Sequence, residues 1–378
     1  MKLGLKKISF HLSTPLLKGH PRHAYGLAIS DTSLELVNML QKRDKVAIDA
    51  FSRVILEPGI VVRGYIRKHD AFAAALRELR QKKQEEHEPL TVVSAIPDYQ
   101  VFTRLLSFDA ASYDKDTIDE EIKQEMSKSL PLDFTEVVIR TITYSPSPEK
   151  KEVMAFATHR TLVENWISNM KKCGITLAVL EMTSLSLIRS LMQECPVGVS
   201  FFLLDIGASS TDLAIFDCHG IKLSASMPTG GRHFTEIIAQ NLHIPTAEAE
   251  QQKCTIGLKG TGHSPVTPIL EKELETIAQK VQKEIEFFEK GGTKVAKLFI
   301  VGGSSAMPGI IPFFQTKCGR ETEQGHPWID VKSGVVTSFA LSSKKLPENQ
   351  EHFYTGATGL ALRGLNRGKL KEGINFLG

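Results

Sequence analysis

Residues 203–212 read Leu-Leu-Asp-Ile-Gly-Ala-Ser-Ser-Thr-Asp, and this decapeptide constrains what the rest of the chain can build. The apolar run Phe201 to Leu204 predicts a buried strand that ends on Asp205, a carboxylate suited to the water shell of a magnesium ion. Gly207 lets the chain turn tightly against a phosphate. The amides and hydroxyls of Ser209, Ser210 and Thr211 follow as donors to phosphate oxygens, and Leu213 to Phe216 returns as the paired strand. An ordinary Asp-Ile-Gly hairpin turn has the same spelling, so the reading depends on what lies downstream.

Downstream are further glycine-rich turns in a telling order. Gly230-Gly231-Arg232 opens a helix, Glu250-Gln251-Gln252-Lys253 falls inside a later one, and Gly302-Gly303-Ser304-Ser305-Ala306 follows a third strand, Lys297 to Val301. In this order the segments resemble those of the actin-like ATPases. The resemblance implies an α/β chain of two RNase H-like domains. Asp205, Gly207, Ser209, Ser210 and Thr211 would form the second phosphate loop, and Gly230 and Gly231 the next turn. Glu250 and Lys253 would touch ribose and adenine, and Gly302, Gly303, Ser304 and Ala306 the adenosine. The cofactor implied is ATP or ADP with Mg, the metal held through water by Asp205.

The stretch Asp119 to Leu132, rich in Glu and closing on Leu130-Pro131-Leu132 before an apolar strand at Val137, resembles the inserted subdomain of the type IV pilus assembly family PilM and its relative FtsA. From about Tyr25 to Leu362 the resemblance to PilM holds. It implies a first domain over 24–197 with its insertion over about 98–158. A second domain would span 198–350 with a helical subdomain over about 231–294, and a helix over 351–365 would return to the first domain. Residues 1–23 form a leader, alternatively a membrane-surface segment, and 366–378 a C-terminal tail.

The first phosphate loop departs from the family pattern. Where that pattern has Asp-Ile-Gly-Thr-Ser-Ser-Val-Lys, this chain has Ala28-Ile29-Ser30-Asp31-Thr32-Ser33-Leu34-Glu35. Ser30, Thr32 and Ser33 remain as phosphate contacts, but the metal-facing carboxylate is gone and an acid replaces the base at position 35. Asp31 offers a displaced charge. Glu181, at the end of the strand Thr176 to Leu180, holds the place where the superfamily positions the attacking water, and with Asp205 it is the catalytic candidate; a plain strand-end Glu is the alternative. Nucleotide binding is therefore expected to be weak or absent, and the chain at most a weak ATPase.

Net charge is +3 from 46 basic and 43 acidic residues, and no basic-aromatic stripe occurs, which sets nucleic acid aside. Five scattered cysteines without a Cys-x-x-Cys pair point to a reducing compartment. The tail, Ile374-Asn375-Phe376-Leu377, is similar to the Ile-Asn-Leu-Leu-Pro peptide with which the partner PilN begins, and is expected in a groove between the first domain and its insertion, in its own chain or a neighbour's. The resemblance implies a cytoplasmic scaffold of a type IV pilus or type II secretion platform, peripheral at the inner membrane through a PilN-like protein, with a secretion or pilus ATPase and a homo-oligomer as further contacts. The alternative is an FtsA-like polymerising ATPase of cell division.

Overall fold

The computed structural model describes residues 22–42, 45–81, 90–111, 113, 118–128, 134–192, 195–260, 264–327, 350–365 and 373–378. The expected leader lies outside the described residues up to position 21, and its last two residues, Arg22 and His23, belong to the first strand.

In chain order come β1 (Arg22–Ile29), β2 (Ser33–Lys42), β3 (Lys45–Ile55), the short hairpin β4 (Val61–Val62) and β5 (Tyr65–Ile66), α1 (His69–Gln81) and β6 (Leu90–Ile96). Next are β7 (Phe102–Asp109), α2 (Ile118–Ser127), β8 (Val137–Ser147), β9 (Lys150–His159), α3 (Arg160–Lys172), β10 (Ile175–Met182) and α4 (Thr183–Leu191). The rest of the chain supplies β11 (Ser200–Ile206), β12 (Thr211–Asp217), β13 (Gly220–Met227), α5 (Gly231–Leu242), α6 (Thr246–Thr255), α7 (Val266–Glu289), β14 (Val295–Val301), α8 (Ile310–Cys318), β15 (Glu321–Gln324) and α9 (Thr355–Gly364).

Two five-stranded sheets share one topology. The first runs β3-β2-β1-β6-β10 and the second β13-β12-β11-β14-β15: an antiparallel meander whose first strand is joined in parallel by two later strands. The duplication puts the turns after β1 and β11 at corresponding sheet ends.

Alternation along β11 assigns its side chains to two cores. Phe202, Leu204 and Ile206 pack with Leu270, Leu274, Ile277 and Val281 of α7. Phe201 and Leu203 belong instead to the large core that contains Trp166, Met170, Leu180 and Met182 of the first half. In α3 the buried apolar stripe is Leu162, Val163, Trp166 and Met170, while Ile167 is 42% exposed. Asp70 sits in the first turn of α1, where its charge suits the helix N-terminus.

α9 crosses back onto the first sheet with small residues because its neighbours are close. A Cβ on Gly359 would lie 1.8 Å from the Ser186 carbonyl oxygen of α4, and one on Gly26 of β1 would lie 2.0 Å from that of Ala357. The insertion is a three-stranded sheet, β7-β9-β8, with Ile118, Ile122 and Met126 of α2 packed on Leu106, Val153 and Ala155. β8 runs through Pro146 because the register slips between Tyr144 and Ser147 on an edge, where no ladder donor is needed. Among the described residues no helix is long and apolar enough to cross a membrane.

Candidate functional site

A cleft of about 790 Å³ opens between the two sheets, lined by the turns after β1 and β11, by the starts of α5 and α6, and by the turn after β14. The second-half wall is built on the hairpin. Gly207 N–H donates to the Ser210 carbonyl (3.0 Å), closing the turn, while the amides of Gly231 and Arg232 donate to Gly207 and Ala208 carbonyls (2.9 Å each), fixing α5 against it. Gly302 has φ +83°, and a Cβ there would sit 2.3 Å from Asp205 Oδ1, so glycine is required at this approach.

Asp205, Gly207, Ser209, Ser210, Gly231, Glu250, Lys253, Gly302, Gly303, Ser304 and Ala306 all line the cleft, as do Ser30, Thr32 and Ser33 opposite. Thr211 and Gly230 do not. The Thr211 hydroxyl is directed to the Thr229 carbonyl (2.7 Å), and Gly230 serves as a spacer whose Cβ would meet Gly207 O at 2.6 Å. Lys253 is buried and donates to Gly231 O (2.9 Å), Thr235 Oγ1 (2.8 Å) and Glu250 Oε2 (2.5 Å), so the Glu-x-x-Lys pair ties α6 to α5 at the rim. The Lys253 ammonium and the Thr235 hydroxyl hold Glu250 below its ordinary range, against burial, which opposes them.

The first-half turn is closed on itself. Ser30 Oγ accepts from the amides of Thr32 (3.2 Å) and Ser33 (3.0 Å) and lies within bonding distance of both hydroxyls. Asp31 spans the cleft, accepting from Ser209 Oγ (3.2 Å) and from the amides of Arg63 and Gly64. Glu35 does line the cleft, but Arg53 on β3, directly across the ladder, meets it at 2.9 Å. The Arg53 guanidinium lies 3.8 Å above the Phe353 ring. Burial raises the Glu35 carboxyl despite Ser33 and Arg53.

Three carboxylates gather at the base of the cleft, of which only Asp205 was anticipated. Burial, aided by the neighbouring charge of Asp212, raises Asp205 to about 7. Asp212 rises to about 6 through burial, moderated by hydroxyls of Ser226 and Ser210. Asp98, buried and held by the amide and hydroxyl of Ser184, is pushed well up by burial and then by Asp212. Acids that repel one another at the end of a glycine-lined turn suit a cation and phosphate together, although among the described residues no three His, Cys, Asp or Glu side chains form a ready direct-ligand set. A strand-end acid at the carboxyl edge of a sheet is the signal that would have found Asp98.

Glu181 stands elsewhere. It pairs across the ladder with Ala95, which lines the cleft, but Glu181 itself is 0% exposed, does not line the cleft, and chelates the equally buried Arg189 (2.6 and 3.0 Å), which also donates to Gly359 O at 3.1 Å. It is not the residue that positions water: its carboxylate is sealed and fully paired. The tail lies beside this pair in its own chain. Arg363 donates to Gly373 O (3.1 Å), Phe376 N–H to Leu180 O (2.8 Å), and Ile374 and Phe376 are buried.

Comparison with known proteins now places this architecture. By sequence the chain is 31% identical to the ethanolamine utilization protein EutJ of Salmonella typhimurium over 30% of its own length and 37% of EutJ. It is 24% identical to the cell division protein FtsA of Bacillus subtilis over 41% of its length and 40% of FtsA. It thus spans about two-fifths of the curated relatives it matches. Among solved structures it is similar to the PilM-PilN type IV pilus biogenesis complex, with a TM-score of 0.75 at 23% identity, over 90% of this chain and 98% of that one. It is also similar to MreB5 of Spiroplasma citri bound to ADP, with a TM-score of 0.52 at 12% identity over 91% and 97%. The fold is that of the actin-like ATPases. The family profile described as type IV pilus assembly protein PilM matches residues 26–365, nine-tenths of the 378-residue chain and both sheets, and the chain belongs to that family.

Proposed function

We propose that this PilM-family chain is a cytoplasmic docking scaffold of a pilus or secretion assembly platform. It engages a PilN-like inner-membrane protein through that protein's Ile-Asn-Leu-Leu-type N-terminal peptide, and holds nucleotide weakly. The carrying observation is the asymmetry of the cleft. The second half offers a glycine-cradled Asp205 turn, whereas the first half has Ala28 in place of a carboxylate and spends its hydroxyls on one another. A site complete on one wall binds a phosphate chain but lacks half of the metal shell that stabilises a transferring phosphoryl group. Arg53 pairs with Glu35 and offsets the repulsion this carboxylate would present to a phosphate chain, which favours retention of nucleotide over its exclusion.

Of the neighbours, the PilM structure is the one described as a complex with PilN, and MreB5 is the one described with ADP. Docking without brisk turnover combines the two. The FtsA-like reading needs an active first turn and is less favoured.

Calorimetric titration with Mg-ATP tests the nucleotide half: micromolar or weaker binding, lost in Asp205→Ala, with negligible phosphate release. Sub-micromolar binding indifferent to Asp205→Ala, or rapid phosphate release, overturns it. Co-purification with the cytoplasmic N-terminal segment of a PilN-like membrane protein tests the docking half, and failure to retain that segment overturns it.

A further inference from the structure

We propose that the C-terminal hexapeptide 373–378 is a releasable strand that plugs a groove between two sheet edges, and that the groove exchanges this plug for an external peptide carrying Asn between apolar residues. The inference rests on the docking reading above and concerns its regulation.

β10 is the edge of the first five-stranded sheet, and β8 is an edge of the inserted three-stranded sheet. An open edge presents unpaired main-chain groups and invites a further strand. The tail lies between these two edges. On the β10 side Phe376 N–H donates to Leu180 O at 2.8 Å, and Leu180 N–H donates to the side-chain Oδ1 of Asn375 at 3.0 Å. The Asn amide therefore stands in for the strand carbonyl that an incoming chain would otherwise provide. The same oxygen accepts from Leu377 N–H at 3.2 Å, holding the peptide in shape. On the β8 side Arg140 Nε donates to the Asn375 carbonyl at 2.7 Å.

The pattern separates what is read from what is merely held. Arg140 and Arg363 grip main-chain carbonyls and are indifferent to side-chain identity. Selectivity resides in three positions: Ile374 and Phe376, 3% and 2% exposed within the core that includes Val138, Leu180 and Met182, and Asn375 between them. A peptide spelled apolar-Asn-apolar-apolar, laid in the same register, offers the contacts of residues 374–377 to Leu180 and Arg140, and only the Arg363 contact needs one residue before it. Gly373 adds a steric limit, since a Cβ there would come within 2.9 Å of Glu181 Oε2 and 3.3 Å of Arg189 Nη2. The sealed Glu181–Arg189 pair thus forms the end wall of the groove.

Tethered to α9 through residues 366–372, the plug competes at an effective concentration in the millimolar range. An external peptide binds only by displacing it, so its apparent affinity falls while the plug is seated. Fluorescence anisotropy with labelled Ile-Asn-Leu-Leu-Pro peptide tests this on the full chain, on the full-length Asn375→Ala variant, and on the chain ending at residue 372. The expected result is binding at least about tenfold tighter for the variant and the shortened chain than for the full chain. Unlabelled Gly-Ile-Asn-Phe-Leu-Gly should displace the probe from the shortened chain. Asn375→Ala keeps the question decidable should shortening impair folding. Equal affinities for all three proteins overturn the plug and leave the docking reading standing. Binding of labelled tail peptide to the shortened chain, without binding of Ile-Asn-Leu-Leu-Pro, upholds the groove and overturns its exchange with a PilN-type peptide.

Discussion

Asp205 carries the sharpest consequence of any single residue in the cleft. Its carboxyl titrates near 7 in the folded chain against 3.8 in the open one, because burial and then Asp212 disfavour its charge. A raised carboxyl means that the native state binds more protons than the unfolded state between about pH 4 and 7. Stability therefore falls as pH climbs through that window and is level above it. Asp205→Asn keeps the shape and removes the charge, so it should raise the urea midpoint at about pH 8 by the equivalent of 2–4 kcal/mol and leave it nearly unchanged at about pH 4. An equal gain at both pH values would refute the assignment. Glu181→Gln should do the reverse, costing about 3–5 kcal/mol by removing the countercharge of the buried Arg189 and leaving any nucleotide binding intact. Loss of nucleotide binding in that variant, at undiminished stability, would return Glu181 to the cleft. These residues also show what the sequence made legible. The Asp205, Gly231 and Gly302 turns were readable because tight turns and glycine approaches are local chemistry. Asp98, Asp212 and Arg53 were not, because their meaning comes from strands brought together by the sheets. Glu181 stands outside the cleft because Arg189, eight residues on in α4, takes its carboxylate, a pairing that the end of a strand does not announce.

Among the elements, α9 shows how a composition that reads as merely small is a packing requirement. Two of its three glycines, Gly356 and Gly359, stand three residues apart in very different surroundings. A Cβ on Gly359 would collide with the α4 backbone at Ser186, whereas one on Gly356 would meet the Ala28 methyl at 3.8 Å, an ordinary contact. Gly359→Ala should therefore destabilise by more than about 3 kcal/mol, since two helix backbones must separate. Gly356→Ala should be neutral or gain up to about 1 kcal/mol from helix propensity. Chemical denaturation of the two variants side by side checks this, and equal effects would show that α9 sits less closely on α4 than described. The family resemblance implied a helix over 351–365 here. It did not announce the crossing partner, which depends on a contact 170 residues away in the chain.

At the scale of the whole molecule, the insertion and the second half meet through a small charged latch, and the last prediction concerns it. Lys222 of β13 donates to the Tyr144 hydroxyl of β8 and to Glu152 of β9 at 3.1 Å, and lies 3.4 Å from Asp217. Its ammonium is 3.7 Å from the centre of the Tyr144 ring, on which His219 stacks at 5.4 Å. One cation thus bridges two acids contributed by different parts of the fold. Glu152 stays below its ordinary range because Tyr144 and Lys222 outweigh its burial. The contact is mostly buried, so removing the cation leaves two facing carboxylates and costs more than an exposed pair would. Lys222→Met, which keeps the aliphatic stem, should lower global stability by about 1–3 kcal/mol. Its more specific effect should be faster amide exchange in β8 and β9, the strands that carry the insertion and one wall of the tail groove, with the α7 core unaffected. Uniform acceleration across both halves would mean that the latch supports the whole fold. Unchanged exchange in β8 and β9 would mean that the insertion is held by its apolar contacts alone.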